Sequence, residues 1–323
     1  MNSPKRICVI GGGSWGKNHI RTLNELGSLC AVVDNSKTVI SELSNIYPDC
    51  KFFKNINETI QFDYDGYIVA TPPNTHYEIA KTIINLKKPL LVEKPITLNL
   101  KDALELNKLA KANKVNLYVG HLLLFHPAYL KIKKMIENNS IGEIEYIYSN
   151  RLNLGTIRKD ENVFWSFAPH DIALIQFFLK SFPSSITSNG SAIIRKNIHD
   201  STITCLKYDN GVMAHIFVSW LHPFKEQRLV VIGSNAMITF EDSLDNKPLK
   251  LYTKKFDFEK GIPEKIDGPI TLIDYENKMP LSEELEYFCN HLNGNKIKLS
   301  NGEHALRVTN ILVSASKQLI NDE

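Results

Sequence analysis

The sequence has no cysteine pair at C-x-x-C spacing. Its five cysteines (Cys8, Cys30, Cys50, Cys205, Cys289) are an odd number, lying mostly in apolar stretches. That argues against a zinc ribbon, a dithiol redox site or a disulfide framework, and predicts buried reduced thiols with no metal. No apolar run approaches the roughly 20 residues of a membrane helix. Pro4-Lys5-Arg6 leads straight into the first apolar run with no signal-peptide core before it, so a soluble, cytoplasmic protein without a membrane partner is expected. An excess of one charge is also missing. The net charge is +3, and basic pairs such as Lys87-Lys88 and Lys133-Lys134 are small and scattered, which argues against a nucleic-acid partner. Neither an internal repeat nor a low-complexity tract is visible. What remains is an ordinary globular composition, 43% hydrophobic and 23% charged, over 323 residues. That length exceeds what one core usually supports, so two domains are expected.

The densest signal lies at the start. Ile7 to Ile10 reads as a buried parallel strand that stops at Gly11-Gly12-Gly13 and passes Gly16 into a helical pattern with Ile20, Leu23 and Leu26 on one face. This is G-x-G-x-x-G between a strand and a helix. Gly11 permits the turn, Gly13 lets a pyrophosphate approach the backbone, and Gly16 lets helix and strand pack closely. Ser14 and Trp15 complete the turn, and the new helix turns free N–H groups and a positive dipole toward the phosphates. A second apolar strand, Leu29 to Val33, ends in Asp34, placed to accept the adenosine ribose hydroxyls. The Asp34 carboxylate would repel a 2′-phosphate, so NAD is expected ahead of NADP, although Lys37 stands close by.

Strand and helix patterns then alternate to about residue 120. Helices are predicted over 38–47, from 75 with a Thr75-x-x-Glu78 capping box, and over 100–112; strands are predicted at 51–53, 65–70, 89–92 and 116–119. This is the pattern of a doubly wound parallel sheet, an α/β dinucleotide-binding domain spanning 1–121. Asp34, Thr71 to Pro73, Glu93 to Pro95 and Gly120-His121 all fall at carboxyl ends of strands, where such sheets bind ligands. Beyond Pro127 the pattern changes. A helix over 128–138 leads to an alternating strand over 143–154, and a helix is predicted to start at Pro169 with His170-Asp171. Asp209-Asn210-Gly211 joins two alternating runs in a hairpin, and short strands follow at 228–232, 236–240 and 249–252. Residues 253–280 read as an irregular loop, and two helices close the chain, 282–292 and 302–320. Residues 122–323 are therefore expected to form an α+β domain with a mostly antiparallel sheet.

These residues in this order carry a resemblance. The glycine turn, Ala70-Thr71-Pro72-Pro73-Asn74-x-His76, Glu93-Lys94-Pro95 and the closing stretch from Glu283 through Gly294 to Val308 resemble the Gfo/Idh/MocA oxidoreductase family over nearly the whole chain. The resemblance implies an NAD-dependent oxidoreductase acting on a CH–OH group of a sugar or polyol. It implies cofactor contacts from Gly11, Gly13, Ser14, Trp15, Gly16, Asp34, Thr71, Pro72, Asn74, His76, Glu93 and Lys94, with Lys94 beside the nicotinamide and the reacting hydroxyl. The family's second motif, Asp-x-x-x-His, matches here only at His170, with Ser166 in the place of the aspartate. Lys94 and His170 are the expected catalytic residues, and either is suited to take the hydroxyl proton.

Four further segments are similar to the branch of the family that oxidises UDP-linked N-acetyl sugars at C3. They are Trp15-Gly16-Lys17-Asn18, the run from Gly120 to Pro127, Ser149 to Gly155, and Ser219 to Arg228. This likeness implies a nucleotide-sugar substrate, UDP-N-acetylglucosamine, converted to a 3-keto sugar for lipid A or surface polysaccharide. It also implies a homodimer or homotetramer formed through the second sheet. His121, Arg151, Asn153, Arg158, Trp165 and Arg228 are the expected substrate residues, with Lys225 and His222 nearby, because a diphosphate needs cations and a sugar needs hydrogen-bonding groups. The alternatives are the same reaction on the 6-carboxylate sugar, a dehydrogenase of a free sugar or polyol such as inositol, a glycosidase using NAD transiently, and a non-catalytic NAD-binding regulator.

Overall fold

The computed structural model describes residues 5–158, 161–257, 261–292 and 295–320. The chain divides into two compact units, residues 1–125 with 278–309 and residues 126–277 with 310–323. The expected single cut after residue 121 is thus replaced by a chain that returns to its first unit.

The first unit holds a parallel sheet of β1 (Ile7–Ile10), β2 (Leu29–Val33), β3 (Lys51–Phe53), β4 (Gly66–Val69), β5 (Leu90–Val92) and β6 (Leu117–Val119) in the order β3-β2-β1-β4-β5-β6. Apart from the edge strand β3, whose Lys51 is exposed, each strand is short and apolar, as a strand covered on both faces must be. The helices are α1 (Gly16–Glu25), α2 (Lys37–Ile46), α3 (His76–Asn85) and α4 (Leu100–Asn113). After β3 the chain crosses back to the other side of β1, so the order reverses between β1 and β4. A crevice opens at such a switch point, beyond the carboxyl ends of the strands. Helix α7 (Pro280–Asn290) also belongs here, because Leu281, Leu285 and Phe288 share a core with Ile7, Val9, Ile20 and Leu23. The predicted capping box of α3 does not form. Thr75 lies in the helical region, and its hydroxyl serves Thr71 and the Pro72 carbonyl instead of capping the helix.

The second unit contains α5 (Pro127–Glu137), β7 (Ile144–Leu154), α6 (Val163–Leu179), β8 (Ser185–Ser191), β9 (Ser201–Lys207), β10 (Met213–Ser219), β11 (Leu221–Gly233), β12 (Met237–Glu241), β13 (Leu249–Asp257) and β14 (Glu264–Leu272). The strands form one sheet, β14-β13-β12-β11-β7-β10-β9-β8, antiparallel except where β10 meets β7. In α8 (Gly302–Ile320), residues 302–309 group with the first unit and 310–320 with the second. The hairpin at Asn210-Gly211 forms as expected, with Gly211 at φ +86°.

Three expectations fail in this unit. Helix α6 starts at Val163, not Pro169: the Asn162 side chain caps it by accepting from Trp165 N at 3.1 Å, and Pro169 is carried inside the helix. Strand β11 begins at Leu221, with a register shift before Glu226 that absorbs Pro223. Among the described residues of the supposed loop 253–280, β13 continues and β14 forms. Almost every residue of β14 is exposed, so no apolar alternation marks it, and as an edge strand it tolerates Gly268 and Pro269. Gly294 of the closing motif lies outside the described residues.

Candidate functional site

In the first unit the glycine turn carries its reasons in its geometry. Gly11 sits at φ +99°, and a Cβ there would lie 2.6 Å from the Ala70 carbonyl oxygen. A Cβ on Gly16 would strike the Gly11 carbonyl, which explains the close packing of turn and helix. Gly13 differs, since a Cβ there would meet no protein atom within 4 Å. The space over it is open, which fits the close approach of a dinucleotide pyrophosphate. No side chain caps α1, whose N-terminal N–H groups face the same crevice. Asp34 is already oriented. Its two oxygens accept from Gly12 N at 2.7 Å and Ser36 N at 2.8 Å, and lone pairs remain for ribose hydroxyls.

Along the sheet, Pro72 and Asn74 are exposed and Thr71 is half-buried. His76 lies elsewhere. It is fully buried, with Nδ1 2.9 Å from the Pro95 carbonyl and Nε2 2.8 Å from the Thr71 carbonyl. Burial lowers its pKa against the pull of both carbonyls. It straps the loop after β4 to the loop after β5 and has no nitrogen left for a cofactor. Glu93 is likewise buried, and it takes three donors. Trp15 Nε1 and His19 Nε2 (2.7 Å) meet Oε1, and the Lys94 backbone N–H meets Oε2 at 3.1 Å. Burial would raise the Glu93 pKa, but the hydrogen bond and charge of His19, the Trp15 bond and the Lys94 charge hold it below the ordinary range. Trp15, which is 42% exposed, Glu93 and Lys94 therefore stand together at the strand ends. His121, at the end of β6, is 2% exposed, stands edge-on to His304, and has no hydrogen-bond partner for either ring nitrogen among the described residues. Burial first, then His304 and Lys94, push its pKa well down, so it is a neutral imidazole.

In the second unit, Ser166 and His170 lie one turn apart on α6, on the same face of the helix. Asp171 beside them is buried and bolts α6 to β7. Arg151 Nε and Nη2 reach its oxygens at 2.9 and 3.0 Å, and Ser149 Oγ at 2.6 Å. Arg151 is therefore consumed inside the fold and is not placed to meet a diphosphate. Arg228 is not placed with it either. It pairs in register with Asn150, the neighbour of Arg151 on β7, so the two arginines project from opposite faces of the sheet. Arg228 is held by Glu241 at 2.8 and 3.2 Å. The indole N–H of Trp165 is spent on Ser316 Oγ at 2.8 Å. Arg158 pairs with Glu161 at 2.9 Å from an exposed position, and Lys225 is exposed. Asn153 faces the same side as Arg151 and keeps a buried Oδ1 without a hydrogen bond among the described residues. The sequence reading passed over His19, Asp171 and Glu284. His19 was the most accessible of these, because its spacing of four from Trp15 puts both on one helical face.

Comparison with known proteins agrees with this architecture. Residues 5–121 match the family model described as oxidoreductase family, NAD-binding Rossmann fold, and residues 129–239 match the GFO/IDH/MocA C-terminal domain. The chain is 25% identical to inositol 2-dehydrogenase of Rhizobium meliloti, over 73% of this chain and 76% of that protein. It is 24% identical to UDP-N-acetylglucosamine 3-dehydrogenase of Acidithiobacillus ferrooxidans, over 94% and 93%. A solved structure of UDP-N-acetylglucosamine 3-dehydrogenase from that organism superimposes with a TM-score of 0.86 at 22% identity, covering 97% of each chain.

Proposed function

The chain belongs to the Gfo/Idh/MocA oxidoreductase family, and from that premise we propose that it oxidises the C3 hydroxyl of UDP-N-acetylglucosamine to the 3-keto sugar with NAD. The observation that carries the catalytic reading is the position of Lys94, at the end of β5 in the same row of strand ends as the glycine turn and Asp34. Gly11 to Gly16 and Asp34 hold the dinucleotide. Bound NAD supplies the hydride acceptor. Lys94 holds the hydroxyl oxygen as alkoxide character develops there, which an ammonium group stabilises. His170 accepts the hydroxyl proton, so the alcohol loses one hydride and one proton and becomes a ketone.

The substrate class rests on likeness along nearly the whole chain to a UDP-N-acetylglucosamine 3-dehydrogenase. Asn153, whose buried Oδ1 has no hydrogen bond among the described residues, is the group proposed to accept from the sugar, and Arg158 and Lys225 are the cations proposed for the diphosphate. The 6-carboxylate sugar is the second reading within this class, and inositol is the reading favoured by the likeness to an inositol 2-dehydrogenase. The 3-keto product is a precursor that a transaminase would consume, in keeping with a role in lipid A or polysaccharide assembly. The chain works in the cytoplasm as a homodimer or homotetramer.

The test is growth of NADH absorbance with NAD and each of the three substrates. A ketone-consuming transaminase and glutamate draw the reaction forward. NADH formed with UDP-N-acetylglucosamine and abolished in Lys94→Ala is the expected result. Turnover of inositol alone would replace the substrate, and silence with all three despite NAD binding would favour a regulator.

A further inference from the structure

Glu93 stands among residues expected to touch the cofactor, yet its carboxylate is already engaged by groups of the chain itself. It is 8% exposed, and its carboxylate lies over Gly120, where an added Cβ would come within 2.9 Å of Cδ and both oxygens. Three strand ends thus converge on one side chain: Trp15 from the turn after β1 and His19 from the first turn of α1, Glu93 and Lys94 from the end of β5, and Gly120 from the end of β6. We propose that Glu93 is a positioning residue for the oxidation, touching neither cofactor nor substrate, and that its carboxylate sets both the indole of Trp15 and the backbone and charge of Lys94. The proposal rests on the reading of Lys94 as catalytic.

The charged and titratable groups around this carboxylate are few. Lys94 follows it in sequence, His19 reaches it from α1, and Glu284 approaches from α7. His121 and His304 stand edge to face, and His121 feels the Lys94 charge. Glu284 is 2% exposed, and neither of its oxygens has a hydrogen bond among the described residues. Burial and the neighbouring Glu93 push it well above the ordinary carboxylate range, whereas the donors around Glu93 hold that acid below the range and keep its negative charge. That charge faces the Lys94 ammonium. Glutamine at 93 keeps the shape but removes the charge. Its amide also turns a donor either toward Trp15 and His19 or toward the Lys94 N–H, and both are donors already.

Glu93→Gln is compared with wild type by two readouts. In the absence of cofactor, the ε-amines are reductively methylated with labelled formaldehyde, and the Lys94 resonance, assigned by its loss in Lys94→Arg, is titrated by NMR. With cofactor, the NADH affinity is measured by fluorescence and kcat by steady-state turnover. The expected results are a Lys94 titration moved to lower pH, kcat lower by about 10²-fold, the cost of a misplacement of roughly 1 Å, and an NADH Kd within about threefold of wild type. Gly120→Ala is the second variant. It displaces the carboxylate without removing it, and the same direction of shift in the Lys94 titration is expected. An NADH Kd raised more than tenfold with kcat intact would make Glu93 a cofactor ligand, and an unmoved Lys94 titration in both variants would overturn the proposal. The titration needs no substrate, so failure to find turnover would count against the proposed reaction and not against this role of Glu93.

Discussion

Glu93 and Asp171 are both buried carboxylates, and each meets three donors, but they do different work. Glu93 draws in an indole, an imidazole and a backbone N–H, so the lysine it faces keeps its place at the end of a strand. Asp171 takes a whole guanidinium and a hydroxyl, and Arg151 is neutralised as a tie between helix and sheet. One carboxylate arranges a site, and the other closes a core. The difference follows from the partners. Single donors from separate elements orient a carboxylate, whereas a bidentate arginine takes both of its oxygens and its charge at once.

The sharpest way to break this comparison is to remove the groups that the two carboxylates stand beside. Lys94→Met is expected to lower kcat by about 10³-fold, and His170→Asn by about 10²-fold, with NADH binding kept in both. Steady-state rates over a range of pH, set against NADH fluorescence titrations, separate the two effects. A His170 variant with full activity would leave Lys94 alone as the base. The next test is of stability. Asp171→Ala strands the buried Arg151 charge and should cost about 3–5 kcal/mol, a fall in Tm on the order of 10 °C. Arg228→Ala, which opens a half-exposed pair with Glu241 on the other face, should cost no more than about 1 kcal/mol. Equal losses in thermal melts would show that the two arginines are equivalent, as their sequence context suggests.

That context explains what could be read in advance. The first unit was legible because its signals are local: Gly11 needs a positive φ, Gly16 must be small to pass the Gly11 carbonyl, and short apolar strands alternate with helices. Each constraint acts within a few residues of the residue it selects. In the second unit the deciding partners lie far apart in the chain. Arg151 looked like a phosphate ligand because nothing near it in sequence announces Asp171, and Arg228 looked the same because the face it occupies depends on register with β7. Strand β14 was invisible for a related reason, since an exposed edge strand has no buried face to impose alternation. His76 shows the same limit inside the first unit: the motif is real, but both ring nitrogens go to carbonyls of two different loops.

The two faces of the second sheet carry the comparison further. The face toward α6 buries Ala214, Ile216 and Val218 on β10, as the alternation predicts, but on β9 it buries Thr202, Thr204 and Leu206. Ile203 and Cys205 therefore point the other way, Ile203 being 49% exposed, beside Phe217, Met213 and the stacked rings of Tyr148 and His215. A broad apolar and aromatic face of this kind needs a cover. Under the oligomer reading, Phe217→Asp should reduce the mass seen by light scattering to that of one chain while NADH binding persists. A wild-type protein that is already monomeric at micromolar concentration would refute the reading.

The smallest expected effect concerns Glu284, the buried acid beside Glu93, and its sign can be worked out. Glu284 has a pKa well above the usual value in the folded chain, first through burial and then through Glu93. When unfolded it titrates near about 4.3. Across that interval the folded state binds more protons than the unfolded state, so the contribution of Glu284 to stability falls as pH rises. Below about pH 4 the group is protonated in both states and the penalty disappears. Glu284→Gln has no proton to lose, so its Tm should match wild type at low pH and exceed it by a few degrees near pH 8. A gap that stays constant with pH would mean that the substitution changes packing alone. A variant less stable than wild type near pH 8 would mean that Glu284 is ionised and paired, against the direction that burial and Glu93 impose.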